Sequence, residues 1–392
     1  MWDRRLLLNK GRKLIARLCI LVSASLLIAA CGIATATGKT IQPAAPSFET
    51  PTSAKSPLPS QTEPTQEARQ TDEPLTLTPL PAIPTATDTP GKPGWCRSDV
   101  RVPEGFLVIG YLPDYRELQP GWGNCLTDII YFSAEPLDSG ELDTGRFKDE
   151  TLALLQQMKA DYGVRLHVSL GGFNRSGSFS YVVRYPQVRA RFVENLVQFC
   201  RENNFDGVDL DWEFPETDAE IDGYLALMEA IKAQGLLVSV ALYPYKDIEF
   251  SPYALADRIH VMSYSRGLEH STFQQAIEDL QLFEDNGIPR ERLALGIPFY
   301  GRQTIDPYRN FSYAQIIQDH QPGPNVDLVE NIVFNGIFTV QTKTCYAREH
   351  LFAGVMIWEL GQDSLDQTSL LRAIFEAAVN GCALREYISS YP

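Results

Sequence analysis

The feature that most constrains this chain is a series of eight short, nearly continuous apolar runs. They fall at residues 106–111, 128–133, 165–170, 207–212, 236–242, 258–263, 293–297 and 354–358. Runs this short and apolar on both faces read as strands of a parallel sheet buried beneath helices. Amphipathic helical patterns lie between them, as at 149–162, 187–203, 219–233 and 272–286. Eight such units in roughly 280 residues match a closed (β/α)8 TIM barrel, for which about 250 residues is typical. The competing doubly wound open sheet would carry a Gly-rich phosphate turn after its first strand. Gly110-Tyr111-Leu112-Pro113 is not one. The expectation is one α/β barrel domain over 95–392.

Upstream the character is different. Arg4, Arg5, Lys10, Arg12, Lys13 and Arg17 form a basic region ahead of the apolar run 18–30, which fits a signal segment and is short for a membrane span. The run closes Ile28-Ala29-Ala30-Cys31-Gly32, similar to a bacterial lipobox, in which the cysteine is lipidated after cleavage. An ordinary signal peptide with an accidental cysteine, or an uncleaved anchor, is the alternative. Residues 1–30 read as a lipoprotein signal peptide and Cys31 as the lipid anchor, making the membrane a partner. Localisation is then extracytoplasmic, membrane-anchored or secreted. Residues 31–94 are dominated by Pro, Thr, Ser and Ala without hydrophobic periodicity, which predicts a disordered linker.

The net charge is −15, and loss of residues 1–30, with six Lys/Arg and one Asp, takes it to −20. That acidity argues against nucleic acid as a partner. Cys96, Cys125, Cys200, Cys345 and Cys382 remain besides Cys31, an odd number. Cys200 sits in an apolar helical pattern and is expected buried; Cys96–Cys125 and Cys345–Cys382 are the expected pairs. The five histidines show no metal-ligand spacing, so no metal or other cofactor is expected. Nothing argues for oligomerisation, and a monomer is expected.

The fourth apolar run continues into the chemistry. In Asp206-Gly207-Val208-Asp209-Leu210-Asp211-Trp212-Glu213, strand alternation puts Asp209, Asp211 and Glu213 on one face and Val208, Leu210 and Trp212 on the other. The apolar face suits the helix layer, so the carboxylates point into the barrel. Glu213 then lies at the C-terminal end, where barrel active sites sit. Three acids in one enclosed space raise one another's pKa, which is how a carboxylic acid stays protonated near neutral pH and acts as a general acid. A solvated acidic strand end or a calcium site is the bland alternative, but a calcium loop spreads its oxygens over a longer turn.

These residues resemble the DxxDxDxE signature of glycoside hydrolase family 18, the chitinase family. Further motifs follow in order: Ser169-Leu170-Gly171-Gly172 resembles SxGG, and Met262-Ser263-Tyr264 resembles MxY. The segment from Leu295 through Tyr300 to Arg302 resembles strand seven, and Gly354 to Glu359, with Trp358, resembles strand eight. The resemblance spans about 105–385. It implies a retaining, substrate-assisted glycosidase, in which the sugar's own 2-acetamido oxygen attacks the anomeric carbon. Glu213 would protonate the leaving oxygen and Asp211 would orient the acetamido nitrogen. Asp209 would tune Asp211, Asp206 would support the strand end, and Tyr264 would hold the acetamido oxygen. Trp358 is placed as the sugar floor or a core residue. Tyr111 and Met262 line the pocket or simply pack. Ser169, Gly171 and Gly172 either let backbone approach substrate or shape a turn, and Tyr300 and Arg302 are further ligand candidates.

The strand-seven segment 293–300 offers no second carboxylate, in keeping with a nucleophile supplied by the substrate. Two departures stand out. Ser265 follows the strand-six tyrosine where the family often has Asp or Asn. The segment 303–353 is too short for a full α+β insertion domain, leaving room for a helix at 313–319 and a hairpin at 332–340, so an open, shallow cleft with little processivity is expected. The expected partner is a polysaccharide containing N-acetylglucosamine, chitin-like and β-1,4-linked. Peptidoglycan, an N-glycan core, a non-catalytic chitin-binding lectin and a cell-surface structural protein are the competing readings.

Overall fold

The computed structural model describes residues 96–244, 250–306 and 308–381. The signal segment, Cys31, the linker and Cys382 lie outside the described residues.

Eight parallel strands form the frame: β1 (Leu107–Pro113), β2 (Asp128–Pro136), β3 (Arg165–Gly171), β4 (Gly207–Asp211), β5 (Leu237–Leu242), β6 (Arg258–Val261), β7 (Leu293–Pro298) and β8 (Gly354–Trp358). Each pairs with the next, and β1 also pairs with β8, so the sheet closes on itself. The fold is the (β/α)8 barrel that the spacing of apolar runs predicted. Around it run α1 (Asp149–Tyr162), α2 (Phe179–Arg184), α3 (Pro186–Glu202), α4 (Asp218–Lys232), α5 (Phe273–Asp285), α6 (Tyr313–His320), α7 (Ile337–Glu349) and α8 (Leu370–Asn380).

Alternation along the strands separates two apolar cores. Outward residues such as Val208, Leu210 and Trp212 join the large cluster between strands and helices. Trp212 stacks on Phe179 at 5.3 Å and meets Tyr224 edge-on at 5.3 Å. Inward residues form a smaller cluster, with Ile109, Tyr111, Ile130, Phe132, Ala294 and Met356 among them. At the N-terminal end of the barrel, buried Asp128 gathers Arg165 (2.8 Å), Arg258 (2.7 Å) and His167 (2.9 Å). Burial alone would raise its carboxyl, but these partners outweigh burial and hold it well below the usual range. An ion cluster thus closes one end of the barrel and leaves the other for the site.

Cys96 and Cys125 form a disulfide. Cys345 is also disulfide-bonded, whereas its expected partner Cys382 lies outside the described residues. Cys200 is free and buried, and burial pushes its thiol up to about 12.

Between β7 and β8 the helix expected at 313–319 is present as α6, begun by a capping box between Ser312 and Gln315. The hairpin expected at 332–340 is not. The turn falls earlier, pairing Leu328–Val329 with Ile332–Val333. These join Tyr300–Gln303 and Asn310–Ser312 in a four-stranded antiparallel sheet. Residues from Ile337 onward are helical as α7. Their β-branched side chains favour a strand, but Val340, Thr344 and Cys345 are buried in the helix, and packing overrides propensity.

Candidate active site

Strand β4 delivers its inward face as the alternation requires. The carboxylate of Asp209 is fully buried and receives donors from four other strands. Tyr111 Oη donates to Oδ2 at 2.8 Å, Ser169 Oγ to Oδ2 at 3.2 Å, and Ser239 Oγ to Oδ1 at 2.6 Å. His260 Nδ1 lies 3.1 Å from Oδ1 and 2.9 Å from Tyr111 Oη. The strand register explains the convergence, because Ser169, Asp209 and Ser239 are aligned across β3, β4 and β5. Burial pushes the Asp209 carboxyl up, yet His260, then Ser239 and Tyr111, outweigh it and hold it below the ordinary value.

Asp211, two residues on, shows the opposite balance. It is 6% exposed, and its Oδ1 is buried with no hydrogen-bond partner. Burial first, then the charges of Asp209 and Glu213, push its carboxyl well above the ordinary value. The strand therefore alternates an acid whose carboxyl is lowered with one whose carboxyl is raised. Glu213 is at the mouth, exposed on its outer side, and desolvation by the protein on its inner side raises its carboxyl. It sits on a short loop, since Thr217 caps α4 four residues later in a capping box with Glu220.

Gly171 and Gly172 close the wall beside these acids, with φ of 90° and 92°. A Cβ on Gly171 would lie 2.6 Å from the Asp211 carbonyl oxygen, and one on Gly172 would lie 2.3 Å from the Phe132 ring. Both positions thus require glycine. Gly172 N–H donates to the Asp211 carbonyl at 2.8 Å, fixing β4's end to this turn.

Tyr264 and Tyr300 belong to the inner cluster, with their rings edge-on at 6.2 Å. Burial, then Tyr300, Asp211 and Glu213, keep the Tyr264 phenol well above its ordinary pKa, so it is a neutral donor. Gly296 leaves room for it: a Cβ there would lie 2.9 Å from the Tyr264 ring. Met262 and Trp358 are partly buried against the same cluster. Trp358 meets Phe132 at 4.9 Å and Tyr111 at 5.5 Å, both edge-on.

Glu213, Asp211, Asp209, Ser169, Gly171, Gly172, Tyr111, Tyr264, Tyr300, Met262 and Trp358 are thus brought to one end of the barrel. Tyr111 is 1% exposed and reaches the acids through its hydroxyl, so it braces Asp209. Arg302 stands farther out on the small antiparallel sheet, in register with Asn310 and Val333. Asp206 is not brought to the acids. It precedes β4 at the opposite end, binding Lys159 Nζ at 2.8 Å and accepting the Leu166 N–H at 2.8 Å. The five residues of β4 and the short steps at either end put it roughly 20 Å from Glu213, so it holds the base of β4. Sequence reasoning missed His260 and Ser239, both inward-facing polar residues on β6 and β5.

A buried acid with a raised carboxyl beside one with a lowered carboxyl, with a third acid at a mouth lined by Tyr264 and Trp358, is an arrangement suited to proton transfer onto a bound sugar. The family model for glycosyl hydrolases family 18 matches residues 108–363. The chain belongs to glycosyl hydrolases family 18. It is 27% identical over 253 residues to a probable chitinase 10 of Drosophila melanogaster, covering 50% of this chain and 11% of that protein. It is 27% identical over 248 residues to an endochitinase of Brugia malayi, covering 52% and 47%. The chain thus spans about half or less of these curated relatives. Among solved structures, a family 18 chitinase from the chitin utilization locus of Flavobacterium johnsoniae superposes with a TM-score of 0.59 at 27% identity. The match covers 70% of this chain and 94% of that one.

Proposed function

We propose that this family 18 chain is a chitinase-like hydrolase, cleaving β-1,4-linked N-acetylglucosamine polymers with retention of configuration. The observation that carries the reading is Asp211. Its Oδ1 is buried without a partner, between a saturated Asp209 and the acid Glu213. A buried acceptor left unpaired costs about 1–3 kcal/mol; an incoming acetamido N–H removes that cost.

In this mechanism the Glu213 carboxyl gives its proton to the glycosidic oxygen as the C1–O bond breaks. The 2-acetamido carbonyl oxygen of the same sugar bonds to C1, forming a cyclic oxazolinium. Asp211 Oδ1 accepts the nitrogen-bound hydrogen, and the Tyr264 hydroxyl donates to the acetamido oxygen, holding it in line. Glu213, now a carboxylate, takes a proton from water, which opens the ring at C1 on the original face. Asp209, fixed by Tyr111, Ser169, Ser239 and His260, keeps its charge beneath Asp211 throughout and so keeps the Asp211 carboxyl raised. Trp358 provides the aromatic floor.

The test is release from a fluorogenic N-acetylchitooligosaccharide by the full chain beside Glu213→Gln. Wild-type release with a loss of about 10²–10⁴-fold in the variant is expected. Binding without release by the wild type would favour a chitin-binding lectin, and release only from peptidoglycan or an N-glycan core would move the substrate to that acetamido polymer. We propose also that Cys31 carries a lipid anchor and that 31–94 hold the barrel off the membrane. Cells fed a radiolabelled fatty acid should label the chain and not Cys31→Ala; equal labelling sinks the anchor.

A further inference from the structure

The tyrosine assigned to the acetamido oxygen is not held by the barrel ladder. Strand β6 ends at Val261, and the last ladder bond beyond it runs from Met262 N–H to Leu242 O at 2.8 Å. The next two amides turn back locally: Ser263 N–H bonds Val261 O, and Tyr264 N–H bonds Met262 O. Ser265 then adopts φ of 60°. A segment with so few regular bonds must be positioned by side chains.

Ser265 is held by His270 Nδ1 at 3.1 Å and Tyr300 Oη at 2.6 Å, whereas Ser263, on the other side of Tyr264, is held by a buried polar cluster behind the site. Ser263 Oγ donates to Asp279 Oδ2 on α5 at 2.7 Å. Ser271 Oγ donates to Ser263 O at 2.7 Å, tying the far end of the loop to the residue before Tyr264. Ser271 is in turn gripped by Lys343 on α7. This lysine is 0% exposed and spends its three donor contacts on Ser271 O (2.9 Å), Ser271 Oγ (2.7 Å) and Asn335 Oδ1 (2.8 Å). Asn335 Nδ2 closes the ring by donating to Ser271 O at 2.7 Å. No contact of Lys343 reaches the acids of β4. Burial pushes its ammonium down to about 7, against the pull of Asp327 and Asp279. A methionine would remove that desolvation cost but strand Asn335 Oδ1, and the contact that leads toward Tyr264 is the one to the Ser271 hydroxyl.

We infer that Lys343 is a positioning residue for the reaction, acting on Tyr264 through Ser271 and Ser263. The inference rests on the proposed role of Tyr264 as donor to the acetamido oxygen. The path is two hydrogen bonds and one peptide bond long: lysine to Ser271 hydroxyl, hydroxyl to Ser263 carbonyl, and then the peptide bond to Tyr264. Loss of the lysine frees the Ser263–Tyr264 backbone to shift. A displacement of about 1 Å in such a group can cost as much as 10²-fold in rate.

The test is a double-mutant cycle on kcat with the full chain and a fluorogenic N-acetylchitooligosaccharide. Four proteins are compared: wild type, Lys343→Met, Tyr264→Phe and the double variant. Tyr264→Phe alone should lower kcat by about 10²-fold. Lys343→Met should lower kcat about 10-fold or more in the wild-type background and change it less than about twofold in the Tyr264→Phe background. A purely structural lysine would give the same factor in both backgrounds, and that result overturns the inference, as would an unchanged kcat in folded Lys343→Met. An unchanged kcat in Tyr264→Phe would instead overturn the role of Tyr264 itself. Should Lys343→Met fail to fold, Ser271→Ala makes the same comparison, and Ser271→Thr, which keeps the hydroxyl, should restore kcat.

Discussion

Asp209 and Asp211 lie two residues apart on one strand face, yet substituting each by asparagine should move stability in opposite directions. In the folded chain the Asp211 carboxyl is raised by burial and by the charges of Asp209 and Glu213. The folded state then keeps a proton that the unfolded state has released. Its contribution is complete below the unfolded pKa, about 3.9, and is lost as pH rises through the folded pKa. Over that window the loss approaches about 1.4 kcal/mol per pH unit. Asparagine has no such proton to lose. Asp211→Asn should therefore match wild type near pH 3.5 and exceed it at neutral pH, with Tm diverging by about 3 °C per pH unit within the window, taking roughly 2 °C per kcal/mol for a domain of this size.

Asp209 reverses the sign. Burial works against its charge, but His260, Ser239 and Tyr111 prevail and lower its carboxyl. Its contribution is present above the unfolded pKa and is lost as pH falls through the folded value. Asp209→Asn should cost about 2–4 kcal/mol at neutral pH, because charge-assisted bonds are replaced and buried donors lose their acceptor. The gap should narrow below about pH 4. Thermal unfolding of both variants from pH 3.5 to 8 is the assay. The Asp209→Asn background should also weaken the Asp211 effect, since one charge raising Asp211 is gone. Parallel curves for wild type and Asp211→Asn across the whole range would refute the raised Asp211 carboxyl and the opposition between the two acids of β4.

Gly172→Ala places a Cβ 2.3 Å from the Phe132 ring at φ of 92°. Release from the fluorogenic substrate should fall at least about 10²-fold while far-UV circular dichroism is retained; a rate within twofold of wild type would contradict the close-approach argument. Asp128→Ala strands Arg165, Arg258 and His167 at the closed end of the barrel. It should cost about 3–5 kcal/mol in denaturant unfolding with little change in kcat per folded molecule, and a large kcat loss would couple the two ends of the barrel.

How much of this was legible follows from one rule, the two-residue alternation of a strand. It placed Asp209, Asp211 and Glu213 inward and Trp212 outward, where Trp212 stacks on Phe179. The same rule argues against Asp206 as a partner of the acids: it lies three residues from Asp209 and so has the opposite parity. Motif spacing grouped it with the acids, but the strand carries it to the far end, beside Lys159. Ser239 and His260 were within reach of that rule, as inward-facing polar residues on the next two strands. What the rule could not supply is the curvature that brings β1, β3, β5 and β6 around one Asp209 carboxylate, because register between strands is set by the closed barrel. The region after β7 failed for a different reason. Residues 337–349 are rich in β-branched side chains, and their helix is settled by burial of Val340, Lys343 and Cys345 against the rest of the domain. Lys343 lies three residues beyond the expected hairpin, as a lysine in a polar-looking run, and only the folded chain places its ammonium behind Tyr264. The acids that do the proposed chemistry are therefore local to one strand and readable there, whereas the groups that fix their charge and aim their partners are scattered over the chain and converge only when the barrel closes.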